Sequence, residues 1–197
     1  GVILFVSNLN WLDPQITPLV PVLKSYWLMI HVSVVTARYG FFGICAACGI
    51  ASLAATAFGR NLRELRAINE MAMIVGLALL TAGIFFGAVW ANESWGRYWG
   101  WDPKETWALI TIFAYALPTH SRHIPRLDGP FAFDVLSVVC FSTVLMTFFG
   151  VNYYLSGLHS YGHSGGVSLT VPLIGASVVI ALIAAAAGRY FKTSKKR

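Results

Sequence analysis

Long apolar runs, separated by short polar stretches, form the dominant pattern along this sequence. A membrane-spanning helix needs about 20 mostly apolar residues, and five runs meet or approach that length. They cover residues 31–57, 67–90, 105–120, 131–155 and 171–188. The third run is the shortest and is polar at both ends. The pattern predicts an all-α protein: a polytopic transmembrane helix bundle with about five complete spans.

The apolar start of the chain adds a partial span to this prediction. Residues 1–7 are mostly apolar and have no basic region before them, which argues against a secretory signal. We expect them to be the end of a further membrane helix. Residues 1–197 would then form a single transmembrane domain that belongs to a longer protein.

A low content of charge agrees with a lipid environment. Charged residues make up 11% of the chain and hydrophobic residues 57%, whereas soluble domains carry roughly 25% charged residues. The net charge of +6 could indicate a nucleic-acid partner. The basic residues lie in short clusters between apolar runs, however, so we expect the lipid bilayer as a partner and no nucleic acid.

The basic clusters also predict the orientation in the membrane. Ten of the 14 Lys and Arg residues lie in the link between the first two spans, the link between the third and fourth spans, and the C-terminal tail. Positive charge marks the cytoplasmic side of a membrane protein. We therefore expect a multi-pass protein of a bacterial inner membrane with a cytoplasmic C-terminus. The segments expected on the periplasmic side are residues 8–30, 91–104 and 156–170.

The three cysteines, Cys45, Cys48 and Cys140, all lie in apolar runs. Cys45 and Cys48 have the spacing of a redox motif, but an apolar helix gives a thiol no help in ionising. A buried free cysteine behaves as a small hydrophobe. We expect these residues to pack between helices.

Tryptophan is concentrated in one segment. Five of the seven tryptophans fall between Trp90 and Trp107, and the core of this segment reads W-G-R-Y-W-G-W-D-P-K-E-T-W. An aromatic belt at the membrane interface explains such a cluster. A flat ligand explains it equally well, because Gly96 and Gly100 would let the backbone approach the ligand and the rings would form an apolar platform.

The sequence Asp102-Pro103-Lys104-Glu105 has the pattern of a helix start. Asp is favoured at the N-cap, Pro at the first helical position, and Glu at the third. We expect Asp102 to cap the third helix, and a second role beside a ligand stays open.

Histidine is rare in apolar spans and marks function where it occurs. His31 lies at the outer start of the first span, and His159 lies in the last outer loop with His163 as its rival. Haem iron takes axial imidazole ligands, so two outer histidines beside the tryptophan-rich segment favour a haem site. A zinc site is disfavoured, since no Cys or acidic partner completes a tetrahedral set. His120 lies apart, at the inner end of the third span.

Arg38 lies seven residues beyond His31, about 10 Å along a helix. An arginine inside a membrane span needs a partner. A haem propionate and a structural contact are both open interpretations.

The tryptophan segment resembles the haem-handling "WWD" family of cytochrome c assembly proteins. Its continuation D-P-K-E-T-W is most similar to the CcsA type, which also occurs as half of the fused CcsBA synthase. The segments L-K-S-Y-W-L-M-I-H-V, which contains His31, and G-V-N-Y-Y-L-S-G-L-H-S-Y-G, which contains His159, resemble the two outer-histidine segments of the family. L-P-T-H-S-R, which contains His120, resembles its inner membrane histidine. The match covers nearly all of residues 16–190.

The resemblance implies two haem sites in a CcsA-type domain that binds haem b. It assigns the outer haem iron to His31 and His159, and an inner haem iron to His120. The family's second inner histidine, from an earlier helix, is missing from this chain. The outer haem would lie against Trp95, Gly96, Tyr98, Trp99, Gly100, Trp101 and Asp102.

The function implied by the resemblance is haem export followed by haem attachment. Haem would pass outward across the membrane, and the thiols of an apocytochrome c CxxCH motif would add to its vinyl groups at the outer site. The chain would thus be a component of a holocytochrome c synthase that works mainly by positioning, with a CcsB-type subunit or fused domain as its partner. Two alternatives stay open: a haem chaperone of the CcmC type without synthase activity, and a dihaem b-type electron carrier.

Overall fold

The computed structural model describes residues 25–155 and 170–194, and this part of the chain is helical without any strand. Five long helices follow one another. They are α1 (Tyr26–Ala57), α2 (Arg63–Trp95), α3 (Pro103–Thr119), α4 (Pro130–Tyr154) and α5 (Thr170–Ser194). The prediction of an all-α helical membrane bundle is confirmed, and the partial span expected at residues 1–7 lies outside the described residues.

Four helices in the described ranges, rather than five, are long and apolar enough to cross a membrane: α1, α2, α4 and α5. The exception is α3, which has 17 residues and is therefore about 25 Å long, against a hydrocarbon core of about 30 Å. Its length is set by its ends. A capping box formed by Asp102 and Glu105, with Pro103 as the first helical residue, starts it, and a short 3₁₀ turn at Ser121–His123 follows it.

Helix α4 is irregular in its second half. An α-helical segment, Pro130–Val139, is followed by the short segment Phe141–Leu145 and then by a π-helical turn, Met146–Gly150. Single π-turns within α-helices occur frequently at functional sites. This turn lies toward the predicted outer end of the helix, beside the cavity described below.

The core lies where α1 and α2 pack against α3 and the middle of α4. Phe42 and Tyr115 are both fully buried, and their rings stack with centroids 3.8 Å apart. All three cysteines are free and buried, and the Cys140 thiol donates a hydrogen bond to the Ala114 carbonyl at 3.1 Å. The expected packing role of the cysteines is confirmed.

Glycines allow the helices to approach closely. A methyl group added at Gly49 would lie 2.8 Å from Val138, and one at Gly76 would lie 2.8 Å from Phe42. Small residues at helix contacts are the usual device of membrane bundles, where packing rather than the hydrophobic effect drives association.

Polar contacts stabilise the predicted cytoplasmic end of the bundle. The Arg66 guanidinium forms an ion pair with the fully buried Asp134 carboxylate at 2.8 Å, which joins α2 to α4. One turn further along α2, the Asn69 amide donates to the Ser137 hydroxyl at 2.9 Å. These contacts fix the registry of α2 and α4, and that registry in turn places the π-turn at the other end.

Candidate functional site

A cavity of about 300 Å³ lies between α1, α2, the start of α3 and the π-turn of α4. Apolar side chains form most of its wall. A few polar groups converge on it, as is usual for ligand sites. Those groups are His31, Thr36, Arg38, Tyr39, Tyr98, Lys104, Glu105, Thr147 and Asn152.

His31 on α1 is held in one orientation by α2. Its Nδ1 lies 2.7 Å from the Gly83 carbonyl oxygen. A carbonyl oxygen only accepts hydrogen bonds, so Nδ1 carries the proton and Nε2 carries the ring's lone pair. A hydrogen bond from the other ring nitrogen to a backbone carbonyl is the usual support of a metal-binding histidine.

Two further residues of α2 complete the seat of the imidazole. The His31 ring stacks on the Trp90 indole, with centroids 6.2 Å apart and planes 13° from parallel, and Trp90 is itself buried. Gly87 supplies the space, because a Cβ atom there would lie 2.6 Å from His31 Cε1 and 2.8 Å from Nδ1. Gly83, Gly87 and Trp90 thus form a cradle for this ring on successive turns of α2.

The tryptophans of the predicted platform are not equivalent. Trp99 and Tyr98 line the cavity. Trp95 packs edge-on against Trp90 with centroids 4.7 Å apart, behind the His31 cradle. Trp101 is 69% exposed and is absent from the cavity lining. Its ring packs edge-on against that of Trp99, with centroids 5.7 Å apart.

The two glycines of the segment have local roles in the backbone. Gly96 ends α2 with a φ of 70°, the left-handed conformation that glycine adopts without strain. Gly100 donates its N–H to Glu105 Oε2 at 2.8 Å, and the Arg97 guanidinium covers the place where a Cβ would stand. The close approach that we predicted for a flat ligand at Gly100 is thus made by Arg97 in this structure.

Asp102 caps α3, as the sequence predicted. Its carboxylate accepts the Lys104 N–H at 3.1 Å, and Glu105 accepts the Asp102 N–H at 3.2 Å. Between Gly100 and this cap, Trp101 adopts a φ of 57°, which is rare for a bulky residue. The capping box therefore holds a strained turn, and this turn carries Tyr98 and Trp99 to the cavity mouth.

The two cations of the site come from different helices. Arg38 is 2% exposed and donates from one terminal nitrogen to the Tyr39 hydroxyl at 3.2 Å. Lys104 donates to the Asn152 side-chain oxygen at 2.8 Å, which ties the start of α3 to the last turn of α4. The sequence analysis had singled out Arg38 because an arginine inside a membrane span needs a partner. It gave no role to Lys104, Asn152 or Gly87.

His120 lies elsewhere. It follows the last residue of α3, is exposed, and its Nδ1 lies 2.9 Å from the Ala116 carbonyl oxygen. It lines a shallow, apolar groove along α2 with Ile74, Leu77, Ala78, Thr81, Ala82, Phe85 and Thr119. The predicted separation of His120 from the tryptophan segment agrees with a continuous α3 between the two.

Two of the predicted histidines, His159 and His163, lie outside the described residues. Within residues 25–155 and 170–194, no three His, Cys, Asp or Glu side chains are grouped as metal ligands. Among the described residues, His31 is the histidine that lines the cavity.

Comparison with known proteins gives a consistent result. The sequence model of the family described as "Cytochrome C assembly protein" matches residues 1–159. The chain is 52% identical over 169 residues to protein NrfI of Wolinella succinogenes. The aligned region covers 82% of this chain and 19% of NrfI.

Proteins named "cytochrome c biogenesis protein CcsA" are also similar. The identity is 39% over 156 residues for that of Chlamydomonas reinhardtii, covering 75% of this chain and 44% of the relative. It is 35% over 210 residues for that of Gloeobacter violaceus, covering 76% and 62%. The chain thus spans between about a fifth and three fifths of the length of these relatives.

Proposed function

The chain belongs to the cytochrome c assembly protein family, and on that premise we propose that it binds haem in the cavity between α1 and α2. It would present this haem for covalent attachment to apocytochrome c. Involvement in cytochrome c biogenesis and a multi-pass membrane fold follow from the family and from the four apolar helices. The finer steps, haem export and presentation, are the proposal.

The geometry of His31 carries the proposal. Its Nδ1–H is donated to the Gly83 carbonyl, so Nε2 is the ring nitrogen that has a lone pair for iron, and haem iron takes imidazole in this way. The walls of the cavity suit the rest of a porphyrin, because they are apolar and include Trp90 and Trp99. We propose His159, which follows α4 in the chain, as the second axial ligand on the strength of the family resemblance.

The chemistry at this site would be thioether formation. Each thiol of a CxxCH motif adds across a vinyl group of haem: a C–S bond forms, the vinyl double bond becomes single, and the thiol hydrogen passes to the other vinyl carbon. No oxidant or reductant is consumed. The contribution of the chain is positioning, since holding the reacting groups together supplies much of the rate. We propose a CcsB-type subunit or fused domain as the partner.

We propose that this site lies on the periplasmic side of a bacterial inner membrane. Two described arginines of the basic links lie at the ends of the helices opposite the cavity: Arg66 is bound to Asp134 and Arg122 to Glu70. Positive residues favour the cytoplasmic side. The C-terminus after α5 would then be cytoplasmic.

A transfer assay separates this function from its alternatives. The purified, haem-loaded protein in detergent, in the assembly with its partner, is incubated with a reduced CxxCH peptide, and covalent haem is detected after denaturing electrophoresis. We expect thioether-linked haem on the CxxCH peptide and none on an AxxAH control. Non-covalent release alone would support a chaperone, and haem that stays bound and cycles reversibly would support an electron carrier.

Trp99 and Trp101 give a matched pair of variants. Trp99→Ala removes a half-buried ring from the cavity wall. Covering such a ring with a bound ligand is worth roughly 1.5–3 kcal/mol, so haem affinity should fall about 10- to 100-fold. Trp101→Ala removes a ring that is mostly exposed and should change affinity much less. Equal effects of both variants in a haem titration would favour the interpretation of the tryptophans as a general aromatic belt.

We further propose that His120 belongs to a second, inner haem site. It lies at the far end of α3 from the outer cavity, beside the apolar groove on α2, and an earlier helix or another subunit would supply its partner. His120→Ala should lower the amount of haem that reaches the outer site in cells, yet leave the binding of externally added haem unchanged. Normal cytochrome c maturation in this variant would exclude the inner site.

A further inference from the structure

Arg38 is an arginine side chain buried in the membrane-spanning bundle at the wall of the cavity. It is 2% exposed. Burying an ionised group is unfavourable unless it is paired and its donors are bound. A guanidinium in such a place therefore indicates an anionic partner.

No such partner is found for Arg38 among the residues that the structure describes. One terminal nitrogen donates to the Tyr39 hydroxyl, and the guanidinium carbon lies 4.5 Å from the centre of the Tyr39 ring. The Nε and the other terminal nitrogen are buried and have no hydrogen-bond partner in this part of the chain. The two ion pairs found there involve Arg66 and Arg122 instead.

A second cation lies near Arg38. Lys104, at the start of α3, lines the same cavity as Arg38. The carboxylates closest to this mouth, Asp102 and Glu105, accept hydrogen bonds from the backbone N–H groups of the α3 cap. They stabilise the helix start, so the Arg38 donors are still available to a ligand.

The position of Arg38 relative to His31 fits a single ligand. The two residues are seven apart on α1, two turns along one face of the helix and about 10 Å from each other. Both line the cavity. A ligand bound at His31 and extending along the wall reaches the guanidinium, whose planar set of N–H donors matches a carboxylate in a bidentate arrangement.

We propose that Arg38, with Lys104 as a second cation, binds a carboxylate of the planar ligand in this cavity. The site would thus select a carboxylate-bearing porphyrin and fix its rotation about the iron–His31 axis. On the proposed function, that carboxylate is a haem propionate, and the vinyl edge is turned away from Arg38. The inference rests on haem binding at His31 and assigns a binding role to a residue of that same site.

The test compares haem with its dimethyl ester, in which both carboxylates are neutral. Both ligands are titrated into the full chain in detergent, and binding is followed by the haem absorbance spectrum. A charge-assisted hydrogen bond is worth about 1.5–3 kcal/mol, so the wild-type chain should prefer haem to the ester about 10- to 100-fold. Arg38→Met should remove this preference, because it should lower the affinity for haem and leave the affinity for the ester nearly unchanged. Arg38→Lys should retain part of the preference.

Arg66→Met is the matched control, because it also removes a guanidinium from the bundle but lies at the Asp134 pair, away from the cavity. It should keep the preference for haem. Equal binding of haem and ester by the wild-type chain would overturn the inference without any variant, and so would an unchanged preference in Arg38→Met. Failure of the proposed function has a different signature: a His31→Gly chain whose haem spectrum and affinity are unaltered.

Discussion

Replacing His31 by glycine is expected to remove haem from the outer site, and added imidazole is expected to restore part of it. His31 Nε2 is the ring nitrogen that carries the lone pair, because Nδ1–H is donated to the Gly83 carbonyl. Even residues that only support a metal ligand are worth roughly 10- to 100-fold in affinity, so loss of the ligand itself should exceed that range. Free imidazole fits the space that the missing ring leaves and can bind the iron.

The measurement is the haem absorbance spectrum and haem content of the purified protein, with and without imidazole. His123→Gly is a suitable control, because His123 is an exposed histidine of the 3₁₀ turn after α3 and lies outside the cavity lining. If the His31 variant kept its haem and its spectrum, His31 would not be a ligand. His163 would then be the next candidate to test beside His159.

Gly87→Ala is expected to weaken haem binding at the same site without unfolding the helix. A methyl group at this position would lie 2.6 Å from His31 Cε1, so the imidazole must swing away and lose its hydrogen bond to the Gly83 carbonyl. The loss of such an orienting contact should lower haem affinity roughly 10- to 100-fold. Alanine is favoured over glycine inside a helix by about 1 kcal/mol, so stability should be kept or raised while haem affinity falls.

Gly43→Ala provides the control, since a Cβ at Gly43 on α1 has no atom within 4 Å. Haem titration and thermal unfolding of both variants separate binding from stability. A double-mutant cycle with His31→Gly sharpens the test: once the ring is gone, Gly87→Ala should have no further effect on haem affinity. A Gly87→Ala chain that binds haem like the wild type would show that the cradle is not needed.

Much of the fold could be predicted from the sequence. The apolar runs predicted all five long helices, with ends that differ from the observed ones by up to six residues. The Asp102-Pro103-Lys104-Glu105 pattern predicted the capped start of α3. These features depend on signals within a few residues of one another, such as apolar length and capping side chains. The one difference concerns α3, whose local start and stop signals leave it shorter than a full span.

The candidate site could be predicted only in outline. His31 and the tryptophan segment stand out by residue type, and their family resemblance gave them a role. The sequence did not distinguish Trp99, which lines the cavity, from Trp101, which is exposed. His159 stays a prediction, since it lies outside the described residues.

Local signals in the sequence are enough to specify the helices, their order, the capped turn and the presence of a histidine in the first turns of α1. The surroundings of that histidine and of Arg38 depend instead on how distant parts of the chain pack together. The carbonyl that orients His31 is 52 residues away in the chain, and the glycine that makes room for its ring is separated from it by a similar distance in sequence. Hydrophobic periodicity and capping act over one or two helical turns. The seat of a single ring and the burial of a single guanidinium depend on how α1, α2 and α3 pack side by side.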